Sequence, residues 1–227
     1  MNNLLSLLQL SDPVLPIGGF AHSYGLETYV QNGIVHDKTS AKEFITQMLS
    51  QNIHYTDAAF VSLAYDAALE NNIDRIIMLD EECVAVKLPK EIRQASSKLG
   101  TRLVKIFGAV QRDEFIDRLK SAVEAGDMQG NYSVMFGAFA AVLQNEKADS
   151  LTGFYYNAAA GLVTTSVKLV PLGQQDGQEI LFSLQLLIKS LVEKSLFPDK
   201  DLIGLCCTGF DIRSMQHERL YSRLYMS

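Results

Sequence analysis

The sequence lacks the clusters of basic residues that mark nucleic-acid-binding proteins. Its 20 lysines and arginines are spread along 227 residues among 26 acidic residues, and the formal net charge is −6. A protein that binds nucleic acid through phosphate contacts needs a concentrated basic surface. Because the charges are interspersed as on ordinary solvated helix faces, we expect no nucleic-acid partner.

Cysteine is also scarce, and its spacing excludes the common zinc sites. The chain has three cysteines, Cys83, Cys206 and Cys207, and no C-x-x-C pair. The four histidines are scattered, so no Cys/His quartet has zinc-like spacing. An odd number of thiols, two of them adjacent, favours a reduced cytoplasmic protein. We therefore expect that this chain binds no metal and no cofactor.

No segment combines the length and the hydropathy of a transmembrane helix. The apolar run Leu4–Leu10 has no basic region before it and is followed by Asp12, so it does not resemble a signal peptide. The uncharged run Leu151–Val167 contains polar side chains and falls short of roughly 20 strongly apolar residues. We expect a soluble protein without membrane contact and a buried helix over this second run.

Helical periodicity recurs along most of the chain, whereas a convincing two-residue alternation is missing. Apolar residues recur at spacings of three and four in segments 44–53, 57–69, 74–86, 92–107, 115–123, 180–191 and 210–224. Thr39 or Ser40 is expected to cap the first of them. Segments 132–143 and 151–168 are apolar almost all round, which predicts central helices without a solvent face. The sequence predicts an all-α, single-domain bundle of roughly eight to ten helices over 1–227.

Residues 11–27, SDPVLPIGGFAHSYGLE, are too rich in proline and glycine for a helix and too apolar for a solvated linker. Pro13 and Pro16 restrict φ and bias the preceding residues toward extended backbone. Gly18 and Gly19 permit backbone angles closed to other residues. These features predict an ordered loop pressed against a surface, with a helix that begins near residues 19–23. The loop could be a docking surface, a cap on the helical core, or both.

This loop resembles the N-terminal signature of the urease accessory protein F family (UreF), S-x-x-L-P-x-G-[GS]-[FY]-x-x-S-x-G-L-E. Segments 91–100, 167–174 and 217–227 resemble the family elements E-x-R-x-x-S-x-x-x-G, V-K-L-x-P-x-G-Q and H-E-x-x-Y-S-R-L-F-x-S. The chain departs from the pattern at Tyr225, where phenylalanine is usual, and at Met226, where arginine is common. Four blocks in the family's order extend the resemblance over nearly the whole chain.

The resemblance implies a urease maturation factor without a reaction of its own. Family members form homodimers, bind the accessory protein of the D type (H in some systems) and recruit the accessory GTPase, protein G, to apo-urease for nickel insertion. Nickel and GTP are handled by the wider complex. By this resemblance, residues 1–27 form an N-terminal docking segment, and residues 210–227 form an interaction tail that orders on binding the D-type protein.

The candidate partner contacts lie in the loop, in the 167–174 element and in the tail: Pro16, Gly18, Glu27, Lys168, Gly173, Gln174, His217, Glu218, Tyr221, Arg223 and Tyr225. Arg223 is the expected key contact, because a guanidinium keeps its charge and makes forked hydrogen bonds. Tyrosine and arginine are also typical of binding hot spots. Lys168 could instead offset the dipole of the helix before it. Glu27, Glu91 and Arg93 could contact a partner or pair within the chain.

Two other classes of function remain to be weighed. One is a helical enzyme with a small-molecule pocket beneath the loop, in which Ser23 and His22 would be the reactive groups. The string around Ser23 lacks the first glycine of G-x-S-x-G and a preceding strand, and His22 cannot readily turn back onto its neighbour. His217-Glu218 lacks the second histidine of H-E-x-x-H. The other class is a helical scaffold unrelated to urease. We predict an adaptor that is not an enzyme.

Overall fold

The computed structural model describes residues 3–227 and contains no β-strand in that range, so the predicted all-α fold is confirmed. Residues 1 and 2 of the predicted docking segment lie outside the described residues. The α-helices are α1 Leu4–Leu10, α2 Leu26–Gln31, α3 Lys38–Gln47, α4 Ala59–Leu69, α5 Ile73–Val86, α6 Lys90–Val110, α7 Glu114–Ala125, α8 Tyr132–Val142, α9 Lys147–Leu169, α10 Gln174–Ser183, α11 Gln185–Ser195 and α12 Thr208–His217. Short 3₁₀ turns lie at Gly19–Ala21 and Lys200–Leu202.

The segments predicted as separate helices around residues 44–53 and 57–69 form one continuous rod. A π-helical segment, Met48–Ala58, joins α3 to α4 without a break. A π-helix bonds residues i and i+5, and short stretches of it are frequent at functional sites. The rod begins after Asp37, whose carboxylate accepts from the backbone N–H of Ser40 at 2.8 Å. Asp37 is therefore the N-cap, and the prediction of Thr39 or Ser40 was wrong by two or three residues.

Helix α8 lies at the centre of the bundle and packs against α4 and α6. Phe136 and Phe139 on this helix are fully buried. Gly137 lies so close to α4 that a Cβ atom there would overlap the carbonyl oxygen of Val61. The absence of a side chain at this position allows the two backbones to touch, which brings the apolar faces of both helices into close contact.

A buried carboxylate holds the start of α8. The Asp80 side chain on α5 is 1% exposed and accepts from the backbone N–H groups of Gln129, Gly130 and Asn131, at 2.6, 3.1 and 2.6 Å. The Asn131 side chain also donates to it at 3.0 Å. A buried charge is tolerable because it receives this many hydrogen bonds. Asp80 thereby fixes the position of α8 relative to α5.

The second predicted central helix, α9, has a solvent face, so that part of the prediction was wrong. Thr152, Tyr156, Thr164 and Lys168 are exposed. Because a step of four residues turns about 40° beyond a full turn, they form a stripe that winds around the helix. The stripe was missed because its hydroxyl and aromatic side chains carry no charge before Lys168. Among the helices of residues 3–227, none is long and apolar enough to cross a membrane.

The closing helix is shorter than predicted. The periodicity of residues 210–224 suggested a helix to the end of that range, yet α12 ends at His217. Residues 218–227 instead run as irregular chain back to the N-terminal loop. The reason is that the backbone N–H groups of Leu224, Tyr225 and Met226 bind acceptors near the N-terminus of the chain, which replaces helical hydrogen bonds.

Candidate functional site

The N-terminal loop is held in a conformation that requires positive φ at several positions. Gly18 and Gly25 have φ of 92° and 78°, and Tyr24 has φ of 52° without being glycine. Arg102 on α6 donates from Nη1 to the carbonyl oxygen of Ile17 at 2.9 Å, which fastens the loop to the bundle. The helical start predicted near residues 19–23 is a single 3₁₀ turn, and α2 begins at Leu26. The loop is therefore ordered and pressed against the helices.

The last residues of the chain lie along this loop. The Ser227 carbonyl oxygen accepts from both the backbone N–H and the hydroxyl of Ser23, at 2.5 and 2.7 Å. The backbone N–H of Met226 donates to the Ala21 carbonyl oxygen at 2.9 Å. The His22 ring nitrogen Nδ1 lies 2.8 Å from the Ser227 hydroxyl oxygen. Loop and tail, more than 200 positions apart, thus form one structural unit.

Glu27 is the anchor of the tail. Its side chain is nearly buried, and its two carboxylate oxygens accept from the backbone N–H groups of Leu224 and Tyr225 at 2.7 and 3.1 Å. The Nε2 atom of His217 lies 3.2 Å from Oε2 of the same carboxylate. Because two consecutive backbone amides bind one side chain, Glu27 determines where the tail turns. The sequence left open whether Glu27 pairs within the chain, and the structure shows that it does.

A second carboxylate, Glu91 at the start of α6, completes the anchor. The Nδ1 atom of His217 lies 2.6 Å from Glu91 Oε2, and Arg223 donates to Glu91 Oε1 at 2.8 Å. His217 is fully buried between the two carboxylates. Arg223 thus pairs with a residue that is distant in the sequence and not with a neighbour in the tail.

The predicted contact residues divide into exposed and buried groups. Tyr221 is 105% exposed relative to the reference state, whereas Tyr225 is 7% and His217 0% exposed. The buried pair faces the chain itself, so in this conformation neither offers a surface to another protein. Glu218 and Pro16 are exposed. Tyr221 is thus the candidate with the most accessible aromatic ring, and tyrosine is enriched among binding hot spots.

The remaining predicted residues lie around the turn between α9 and α10. Lys168 is exposed in the last turn of α9, where a cation also offsets the helix dipole. Gly173 is the N-cap of α10, and its N–H donates to the Asp176 carboxylate at 3.1 Å. Gln174 is exposed at the first position of that helix. Gly18, by contrast, is buried against the Arg102 guanidinium.

The sequence was compared with protein families and with curated proteins. The sequence model of the UreF family matches residues 35–185. Proteins named urease accessory protein UreF are 48% identical in Actinobacillus pleuropneumoniae, 46% in Haemophilus influenzae and 32% in Bacillus sp. strain TB-90. The alignments cover 100% of this chain and 97–100% of those relatives. The chain belongs to the UreF family.

The UreF family assignment covers the loop and the tail as well as the helices. The family's sequence model stops short of both, but the alignments with full-length UreF relatives include the whole chain. The geometry explains why the signature blocks at 11–27, 91–100 and 217–227 belong together. Each supplies one part of the docked tail: the loop backbone and Glu27, the carboxylate of Glu91, and the tail itself.

The reactive pair that an enzyme of this shape would need is not assembled. The Ser23 hydroxyl donates to the Ser227 carbonyl oxygen, and His22 points its Nδ1 at the Ser227 hydroxyl. Burial, together with the charges of Lys98 and Arg102, lowers the pKa of His22. The two side chains therefore fasten the tail and do not bond to each other. Within residues 3–227, no group of three or more His, Cys, Asp or Glu side chains is arranged to hold a metal ion.

A cavity of about 300 Å³ does lie beneath the loop of this UreF family member, where the alternative function placed a pocket. Pro13, Val14 and Phe20 from the loop form its roof, and α6, α8, α9 and the π-helical segment form its walls. Sequence inspection found the loop but not the polar groups beneath it. The ion pair of Lys87 with Asp57 at 2.7 Å joins residues 30 positions apart, and no motif predicts it.

Proposed function

We propose that this chain is a non-catalytic adaptor in urease maturation. In this proposal it acts in the cytoplasm, where it binds the D/H-type accessory protein and recruits the accessory GTPase to apo-urease for nickel insertion. The names of its full-length relatives support the link to urease. The docked tail supports the adaptor role, because it presents an ordered surface and leaves the potentially reactive Ser23 and His22 occupied.

One observation carries the proposal: the junction of loop and tail exposes large apolar side chains on a rigid backbone. We define the loop–tail surface as Phe20, Tyr221, Leu224 and Met226, which are 70%, 105%, 68% and 58% exposed. Met226 bonds to the backbone beside Phe20, and the N–H of Leu224 is held by Glu27. Exposed apolar groups gathered in one region are typical of protein-binding sites. Since the backbone is already ordered, binding would cost little conformational entropy.

We further propose that nickel is cargo of the wider complex, that this chain supplies no ligand to it, and that the chain works as a homodimer. The proposal predicts that equilibrium dialysis of the purified protein against nickel detects no tight stoichiometric binding. Tight binding of one ion per chain would show that the chain is itself a metal carrier. Light scattering after size exclusion, with and without the two accessory proteins, would test the oligomeric state.

The sharpest test is Tyr221→Ala, because the ring is fully exposed and its removal leaves the packing of the chain unchanged. The change should reduce the D/H-type protein or the GTPase captured with the tagged chain by about tenfold, as expected for an aromatic hot spot. Tyr156→Ala on α9, where the ring is half exposed, is the matched control and should leave capture unchanged. Wild-type capture by Tyr221→Ala combined with Met226→Ser would refute the proposed surface.

Arg223 is the key contact expected from the sequence, but Arg223→Ala is harder to interpret because Arg223 pairs with Glu91. A loss of GTPase recruitment could arise from a lost partner contact or from a displaced tail. Glu91→Gln separates the two, since it weakens the pairing but keeps the arginine. If Arg223 contacts the GTPase, Arg223→Ala should reduce recruitment more than Glu91→Gln. Unchanged co-purification with Arg223→Ala would exclude the role assigned to this residue.

A further inference from the structure

The cavity beneath the loop combines apolar walls with a polar end. Ile53, Leu99 and Phe154 contribute apolar wall. At the polar end, the Lys87 ammonium donates to Asp57 Oδ1 at 2.7 Å, and the Lys87 side chain is 6% exposed. Apolar pockets with a few convergent polar groups are the usual form of small-molecule sites, and about 300 Å³ lies at the lower end of their size range.

Hydrogen-bond donors remain available at the polar end. Tyr132 lines the cavity, and its hydroxyl is buried without any hydrogen-bond partner. Buried polar groups are normally satisfied, and an unpaired one costs free energy. The Lys87 ammonium carries three protons, of which one is directed to Asp57. A ligand with a hydrogen-bond acceptor could therefore satisfy Tyr132 and bind Lys87 together.

The charges around the cavity favour an anion. Lys87 and Lys168 line it against the single carboxylate of Asp57, so the formal balance is one positive charge in a protein of net charge −6. Although burial alone would lower the pKa of Lys87, the Asp57 carboxylate raises it above its ordinary value. Lys87 is thus an ammonium at neutral pH. The third basic group, His22, has its pKa lowered by burial and adds no charge at that pH.

A glycine within α9 keeps the cavity open. Gly161 lines the cavity, and a Cβ atom at this position would meet no other atom within 4 Å. Glycine in the middle of a helix is less favourable than alanine by roughly 0.5–1 kcal/mol. The chain therefore accepts a less stable helix at a position where a side chain would project into empty space. This arrangement preserves volume that packing alone would fill.

From these contacts we propose that the cavity binds a small monocarboxylate with a short apolar body, and that this activity is independent of the adaptor role. The carboxylate lies at the polar end, where Lys87 and the Tyr132 hydroxyl donate to it. The apolar body lies along the α9 wall beside Gly161. A cation of the same size is disfavoured by the excess of lysine over aspartate among the lining residues.

Isothermal titration calorimetry with hexanoate tests the proposal on the full-length protein, with hexylamine and 1-hexanol as matched probes. Hexanoate should bind saturably, one molecule per chain, and at least about tenfold more tightly than either probe, the difference expected of a charge-assisted hydrogen bond. Absence of saturable hexanoate binding, or equal affinity for hexylamine, would overturn the proposal.

Three variants test the location. Gly161→Leu places a side chain in the space that the apolar part of hexanoate would occupy, and it should abolish binding. Gly108→Ala on α6, which does not line the cavity, should leave binding unchanged. Tyr132→Phe should weaken binding roughly fivefold. The same change should not lower the melting temperature of the empty protein, because the hydroxyl has no partner to lose.

Replacing the ion pair with Lys87→Met and Asp57→Leu together avoids a buried unpaired charge and should remove the preference for the carboxylate. Unaltered hexanoate affinity in a folded Gly161→Leu protein, or in Tyr132→Phe, would contradict the assignment.

Discussion

Replacing Glu27 with glutamine should release the C-terminal tail while leaving the helical bundle intact. Glutamine has the same shape, but one carboxylate oxygen becomes an NH₂ group, which can donate and cannot accept. In the native chain one oxygen binds the N–H of Leu224 at 2.7 Å, and the other binds Tyr225 at 3.1 Å and His217 at 3.2 Å. Whichever way the amide turns, it faces at least one backbone N–H with another donor.

The size of the effect follows from the bonds that are lost. A hydrogen bond to a charged group contributes roughly 1.5–3 kcal/mol, and the variant loses one such bond and the charge that strengthens the others. We therefore expect the docked state of the tail to be weakened by about 3 kcal/mol, which corresponds to roughly a 100-fold rise in the opening equilibrium. The helices beneath contribute their own packing, so global unfolding should change much less.

Amide hydrogen exchange measures this opening directly. Protection should fall at Leu224 and Tyr225, and also at Ser23 and Met226, whose N–H groups are bound only while loop and tail are docked together. Amides of α8 should exchange at their original rates. Glu193→Gln, at an exposed position on α11, is the control and should alter none of these rates. Native protection of the tail amides in Glu27→Gln would show that the carboxylate does not anchor the tail.

Two further outcomes follow from the packing and from the buried histidines. Gly137→Ala should destabilise the fold by at least about 2 kcal/mol in denaturant titration, because its Cβ would overlap the Val61 carbonyl, whereas Gly108→Ala, with ordinary contacts, should stabilise it slightly. The pKa values of His22 and His54 are lowered by burial, so below their ordinary value of 6.5 the unfolded chain binds protons more readily than the folded chain. Stability should therefore fall as the pH decreases from about 7.5 to about 5.5, and a His22→Gln/His54→Gln variant should show a shallower decrease; equal slopes for the two proteins would contradict this account.

The helices could be predicted because their signal is local. Spacings of three and four in the apolar residues marked most of them, and the near absence of polar residues in α8 indicated its central position. Solvent exposure on α9 was missed because threonine and tyrosine occupy most of its exposed positions after residue 151 in place of charged residues. Local patterns locate helices well. They indicate whether a helix is buried or exposed only where the exposed side chains are also charged or strongly polar.

The anchor of the tail could not be predicted, because its partners are distant in the sequence. Glu27 and His217 are 190 positions apart, and Glu91 and Arg223 are 132 apart. Four of the bonds that hold the tail are donated by backbone N–H groups, which nearly every residue carries, so the residue types do not indicate them. The family resemblance singled out Glu27, His217 and Arg223, yet it treated them as candidate contacts with a partner protein. In the single chain Glu27, Glu91, His217 and Arg223 bind one another or the tail backbone.

The strained loop and the irregular tail each account for the stability of the other. Tyr24 holds a positive φ, which costs a non-glycine residue roughly 1–2 kcal/mol. The bonds just before it, from Met226 to Ala21 and from Ser23 to Ser227, each contribute about 1 kcal/mol, and Glu27 just after it adds charged hydrogen bonds. Together they exceed the cost of the positive φ. The tail in turn has no helix of its own after His217, so without the loop its backbone would remain hydrated and mobile. Docking of the tail and order in the loop are therefore one cooperative event, and the loop–tail surface exists only when both are formed.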